Sequence, residues 1–379
     1  MRVQARWTRS VAMALVVGAA TLLNAQGRGG GQGRGEGPGP ARVVGPGTVE
    51  KIVVHGKALE GNLEGDSPDR DVTVYLPPSY KADESRRYPV VYLLHGYGGR
   101  ENTFIDRLAK LPEIADRLDP VQGYSSAIVV TPSAYTLHKG SMYSNSPTTG
   151  DWEKFVAEDL VAYMDSHYRT IANRMSRGLA GHSMGGYGAL RIGMKRPDVF
   201  SSLYAMSACC LAANRNPRPD AIAAAEAIKT RAQAEEAAQA PGFGPSTTLA
   251  SAAAWSPNPA NPPLFLDLPM KDKKVRADIV AKWVANSPIE MVSQYVPALN
   301  EYYAVAMDIG TKDTLLASNQ QLNETMTKLR IPHRYEEYDG DHTNKVHERL
   351  ERNVLPFFSK NLAAPANPTS PRPPSSLRP

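Results

Sequence analysis

The chain has 379 residues, enough for one large domain or two small ones. With 42% hydrophobic and 21% charged residues it has the make-up of a globular protein, which excludes a wholly disordered or fibrous chain. A net charge of +5 is thin over that length and is no nucleic-acid footprint.

In chain order, the first segment reads as a leader. Arg2, Arg6 and Arg9 form a positive region, Val11 to Leu23 is apolar, and small residues follow up to Ala25. This is the layout of a secretory signal peptide over residues 1–25. The apolar stretch falls short of the roughly 20 residues of a membrane-spanning helix. The expectation is therefore a cleaved leader, no stable membrane insertion after cleavage, and a secreted or periplasmic protein. Leu23 is large for its place before the cut, so the cut site stays open. Residues 26–47 are rich in Gly, Arg, Pro and Gln and predict a disordered linker. Arg-Gly repeats also occur on RNA-binding proteins, but behind a secretion signal no nucleic-acid partner is expected.

From residue 48 strand and helix signals alternate. Thr48 to Val54 and Asp71 to Leu76 read as strands, the second stopped by Pro77 and Pro78. Tyr88 to Leu94 and Ser126 to Thr131 are apolar runs, as in strands buried on both faces. Trp152 to Tyr168 has helical periodicity. Arg177 to Ala180 is a short strand and Gly188 to Lys195 a helix. Tyr302 to Met307 and His333 to Tyr338 are late strands around a helix near Gln320 to Leu329. This alternation predicts an α/β fold, a mainly parallel sheet with helices on both faces, in one domain over residues 48–362. Residues 211–290 interrupt the rhythm. A helical run at Asp220 to Ala240, a Pro/Gly/Ser/Asn-rich loop and a helix near Lys274 to Asn286 predict a helical insertion, either packed decoration or a cap over the active site. Cys209 and Cys210 are adjacent, so they cannot staple distant parts of the chain; two buried thiols are expected rather than a strained vicinal disulfide. Residues 363–379, rich in Pro, Ser and Ala, predict a disordered tail.

The most specific motif is Gly181-His182-Ser183-Met184-Gly185, a G-x-S-x-G between a strand and a helix. Such a turn lifts the Ser183 hydroxyl to the N-terminus of the following helix, where negative charge is favoured. It leaves no room for side chains at Gly181 and Gly185. A serine hydroxyl needs a base, and in this architecture the order is Ser, acid, His. Of His333, His342 and His347, His342 sits in a loop directly after a strand, His333 precedes that strand, and His347 falls in the next helix. His342 is the expected base. Asp308 and Asp313 compete for the acid; the turn ending at Asp313 favours it, since it can swing a carboxylate towards His342. Backbone N–H donors for an oxyanion are expected from Met184 and from Tyr97, in His95-Gly96-Tyr97-Gly98-Gly99. His342 and His347 lack the spacing of a helical zinc pair, and no phosphate or dinucleotide motif is present, so no cofactor is expected.

The segments VYLPPSY (74–80), YPVVYLLHGYGG (88–99), SMYSNSPTTGDWEKF (141–155), GLAGHSMGGYGAL (178–190), DIGTKD (308–313) and YDGDHT (338–343) resemble the esterase D / "putative esterase" family of α/β-hydrolases. That family includes feruloyl, acetyl-xylan-type and siderophore esterases, S-formylglutathione hydrolases and the antigen 85 mycolyltransferases. The resemblance implies a Ser183, Asp313, His342 triad and a second oxyanion donor from the Tyr97 loop. The expected activity is hydrolysis of carboxylic esters through an acyl-enzyme. Export disfavours the S-formylglutathione branch and points to feruloyl or acetyl esters of polysaccharide, a siderophore or a peptidic ester. An acyltransferase with a sugar or lipid acceptor, and a non-catalytic binding protein, are the alternatives. Tyr143, Trp152 and Tyr187, with Tyr97, are candidate stacking surfaces for substrate.

Overall fold

The computed structural model describes residues 45–119, 123–212 and 219–364. The leader at 1–25, all but the last residues of the linker and nearly all of the C-terminal tail lie outside the described residues.

Eight strands form one sheet: β1 Thr48–His55, β2 Asp69–Leu76, β3 Val90–Leu94, β4 Ile128–Pro132, β5 Arg177–His182, β6 Ser202–Met206, β7 Ala304–Gly310 and β8 Arg334–Tyr338. Their order is β1-β2-β4-β3-β5-β6-β7-β8. The hairpin β1–β2 and the β2–β4 pair are antiparallel, and every pair from β4 to β8 is parallel. The sheet is thus mainly parallel, as its continuous apolar strands require.

The pleat of β3 sorts its side chains between two cores. Val90, Tyr92 and Leu94 face one, with Tyr187, Leu190 and Ile192 of helix α3 (Met184–Lys195). Val91 and Leu93 face the other, with Leu111 and Ile114 of α1 (Leu111–Leu118) and Phe358 of α9 (Leu355–Asn361). Helices therefore cover both faces, and α2 (Leu160–His167) joins the first core through Leu160 and Met164.

Between β6 and β7 the chain makes α4 (Pro219–Glu226), α5 (Arg231–Gln239), α6 (Pro245–Trp255) and α7 (Ala277–Ala285). The insertion has a small core of its own, in which Ala225, Ala234, Leu249, Ala252, Leu264 and Leu266 pack together. Two expectations change here. The helical run at 220–240 is two helices, the second capped by Thr230 and Gln233 exchanging bonds with each other's backbone. The supposed loop beyond it contains α6. After the insertion, α8 (Leu316–Lys328) connects β7 to β8. Among the described residues no helix is long and apolar enough to cross a membrane.

Candidate active site

Strand β5 ends at His182 and α3 begins at Met184, so one residue must turn the chain. Ser183 does so at φ 59° and ψ −116°. Positive φ is costly for a residue with a Cβ, and such strain persists only where the surroundings enforce it. They do. A Cβ on Gly181 would lie 2.2 Å from the carbonyl of Gly185, and one on Gly185 would lie 1.9 Å from Leu94 O at the end of β3. The turn is also tied to the end of β6: Ser183 N–H donates to Met206 O (3.0 Å), and Cys209 N–H donates to Ser183 O (3.1 Å).

The loops after β7 and β8 meet at this turn. Thr311 N–H donates to Tyr338 O (2.8 Å) and Lys312 N–H to Gly340 O (2.9 Å), stitching the two loops together. That juxtaposition brings Asp313 Oδ2 to 2.7 Å from His342 Nδ1, while His342 Nε2 lies 2.9 Å from Ser183 Oγ. His182 Nε2–H donates to the His342 carbonyl (2.7 Å) and holds that loop from below. The Asp313 side chain is shielded from solvent. Burial alone would raise its pKa, but hydrogen bonds from His342 and from Leu315 N–H outweigh this and hold it below the usual carboxylate range.

The rival residues have other partners. Asp308 is buried and accepts from Tyr204 Oη (2.7 Å) and Arg349 Nε (2.8 Å). His333 is bound to Ile331 O (2.8 Å) and Asn323 Oδ1 (2.9 Å), and His347 bonds Ala109 O.

The glycine-rich loop after β3 faces the same hydroxyl. His95 sets its shape: its Nδ1–H donates to Gly96 O (2.7 Å), and its Nε2 accepts from Ala134 N–H (2.8 Å). Burial lowers the His95 pKa to about 4, so the imidazole is neutral, as this pair of bonds requires. Gly98 N–H donates to Lys139 O (3.0 Å), fixing the peptide that follows Tyr97. Ser183 and His342 open into a cleft of about 150 Å³ whose walls include Tyr97, Arg107, Leu108, Phe243 and Thr343.

The model of the family described as "Putative esterase" matches residues 67–349. The chain belongs to this esterase family. Among curated relatives, the endo-1,4-beta-xylanase/feruloyl esterase of Xylanibacter ruminicola is 31% identical over 157 residues, 40% of this chain and 21% of that protein. An esterase of Mycobacterium tuberculosis is 31% identical over 131 residues, 35% of this chain and 27% of its own. The match thus spans about a quarter or less of the length of either relative. Among solved structures, a ferulic acid esterase is similar with a TM-score of 0.59 at 23% identity, over 84% of this chain and 99% of that one. An S-formylglutathione hydrolase of Staphylococcus aureus has a TM-score of 0.55 at 15% identity, over 83% and 99%. These likenesses establish the α/β-hydrolase fold.

In this esterase-family chain three expected substrate contacts are core residues instead. Tyr143 is buried under the glycine-rich loop and donates to His95 O (3.1 Å). Trp152 is buried, with Nε1–H donating to Thr149 O (2.8 Å). Tyr187 lies on the inner face of α3 and donates to Asn286 O (2.9 Å). Their phenol and indole groups are satisfied inside the protein, so an aromatic-rich segment here means packing. Of the four aromatic candidates only Tyr97 lines the cleft. The cleft aromatic that the sequence did not single out is Phe243, 75% exposed and stacked on Tyr97 at 5.8 Å. It comes from the loop between α5 and α6, where Lys139 Nζ reaches Ala240 O (3.0 Å) and Gly242 O (3.4 Å). Cys209 and Cys210 are both free thiols, as expected, but they are half-buried rather than buried.

Proposed function

We propose that this chain is an exported carboxylic ester hydrolase working through Ser183, His342 and Asp313. The observation that carries the proposal is the unbroken hydrogen-bond chain from Asp313 through His342 to a serine held at positive φ on the strand-to-helix turn. In the first step Ser183 Oγ attacks the ester carbonyl and passes its proton to His342 Nε2. Asp313 keeps Nδ1 protonated and stabilises the imidazolium. The tetrahedral oxyanion is met by the N–H groups of Met184 and Tyr97; Met184 is the first residue of α3, so its N–H has no acceptor within the helix. His342 then returns the proton to the leaving alcohol. Water, deprotonated by the same imidazole, releases the acid from the acyl-enzyme.

The feruloyl esterases among the relatives support feruloyl or acetyl esters of polysaccharide as the substrate class. The basic and apolar leader at residues 1–25 supports export. We assign 26–47 as linker, 48–362 as the esterase domain and 363–379 as tail. Residues 211–290 act as a cap, a reading supported by Phe243, which lines the cleft. The test is hydrolysis of para-nitrophenyl acetate and methyl ferulate by the mature protein beside Ser183→Ala. The expected loss in the variant is at least ~10³-fold in kcat. Equal rates in both proteins would refute the mechanism.

A further inference from the structure

The cleft beside Ser183 holds a charge that the proposed chemistry does not use. Arg107 closes the helical turn Thr103–Arg107 and lines the cleft with Tyr97, Leu108, Phe243 and His342. Several arginines elsewhere in the fold are engaged. Arg349 pairs with Asp308 and Glu336, Arg191 with Glu153, and Arg177 with Asp165. Among the described residues the Arg107 guanidinium has no hydrogen bond, ion pair or ring contact. The adjacent Asp106 accepts instead from Asn102 Nδ2 (3.3 Å).

The rest of the lining leaves this cation uncompensated. No Asp or Glu lines the cleft. The nearest acid of the machinery, Asp313, is turned inward on His342 with its side chain shielded. Ser183 also sits at the N-terminus of the 12-residue helix α3, whose dipole adds positive potential. Low-dielectric walls focus such a field on whatever enters. Ser183 and Arg107 line the same cleft, so one ligand can meet both. The planar guanidinium fork matches a carboxylate with two parallel bonds. Tyr97 and Phe243 supply an apolar wall for the carbon skeleton between the two ends.

We propose that Arg107 is a specificity-determining residue that binds a carboxylate carried by the ester substrate. The inference rests on the esterase reading of Ser183 and narrows it to anionic esters. The carboxylate belongs either to the acyl part or to the alcohol part of the ester, and paired substrates separate the two. Mono-para-nitrophenyl adipate beside para-nitrophenyl hexanoate tests the acyl side. Para-acetoxybenzoate beside its methyl ester tests the alcohol side.

In one of these pairs, the ratio of kcat/KM for the anionic over the neutral ester should fall about tenfold in Arg107→Ala. It should fall further in Arg107→Glu and be partly kept in Arg107→Lys. The change should lie in KM and shrink as salt is raised. Calorimetric binding of adipate and benzoate to the wild type, lost in Arg107→Ala, gives a readout independent of turnover. Ratios unchanged across the variants in both pairs, with neutral esters still hydrolysed, overturn the inference and leave the serine mechanism standing. If no ester is hydrolysed, the binding measurement decides: equal binding, or none, in both proteins overturns the Arg107 site as well.

Discussion

Asp308 and Asp313 stand five residues apart on one strand end and do different work. Asp313 lies beyond the turn that closes β7 and reaches His342, whereas Asp308 lies within β7 and points into the core at Tyr204 and Arg349. Replacing each by asparagine should separate the roles. Asp313→Asn keeps the volume but loses the charge that, in the proposed mechanism, orients and stabilises the imidazolium. Its kcat should drop by about 10³ to 10⁴ while Tm barely moves. Asp308→Asn leaves Arg349 with only Glu336 as a counter-charge, which should cost about 3 kcal/mol in stability by urea unfolding. Its folded fraction should keep most of the activity. The reverse pattern would exchange the assignments. The sequence favoured Asp313 because the chain must turn before a carboxylate can swing out. The same level of reading failed for Tyr143, Trp152 and Tyr187, since residue type says that a ring is apolar but not which cavity it fills.

The strand–turn–helix unit was legible as an element because its constraint is local. Gly181 and Gly185 are four apart, and the space each lacks is taken by the motif itself or by the end of β3. Gly185→Ala should therefore be among the most damaging small substitutions in the chain. Its methyl would meet Leu94 O, a backbone atom fixed in the sheet, so β3 and α3 must separate. A loss of about 4 kcal/mol or more is expected, visible as a collapsed urea midpoint or failure to fold. A midpoint close to the wild type would contradict the packing of the turn. The insertion was less legible. Helix α6, PSTTLASAAAW, carries no apolar stripe because Leu249 and Ala250 to Ala254 are buried nearly all round, and small residues serve close packing there. Periodicity detects a helix with one wet face, and this one has none. Strand β6 escaped notice for a similar reason: SLYAM is five residues long, with every one buried.

At the scale of the molecule, the alternation of elements predicted a mainly parallel sheet, but strand order was beyond it. Local patterns do not say that β4 lies outside β3, or that the ends of β5, β7 and β8 converge. That convergence makes the site, and it buries histidines whose charge the fold cannot tolerate. His95 uses both ring nitrogens as a neutral group. His182 donates through Nε2 to the His342 carbonyl and has its buried Nδ1 without a partner. Burial lowers both pKa values from the ordinary 6.5 to about 4. Between pH 6.5 and about 4 the unfolded chain binds these two protons and the folded protein does not. Stability must then fall as pH falls through that window, by about 2 to 3 kcal/mol per pH unit near its middle. Burial raises Glu64 and lowers its neighbour His138, 3.3 Å away, so these two shifts act in opposite directions. His55 is shifted upward by Asp69 and Glu60 but is exposed, where solvent screens the effect. Urea unfolding at a series of pH values should show a linked uptake of two protons on unfolding, absent above pH 7. His182→Asn, which retains a side-chain donor for the His342 carbonyl, should reduce the uptake to one. A stability that stays flat from pH 7 down to pH 5 would mean that these imidazoles are not held neutral, and the hydrogen-bond pattern that shapes the glycine-rich loop would have to be redrawn.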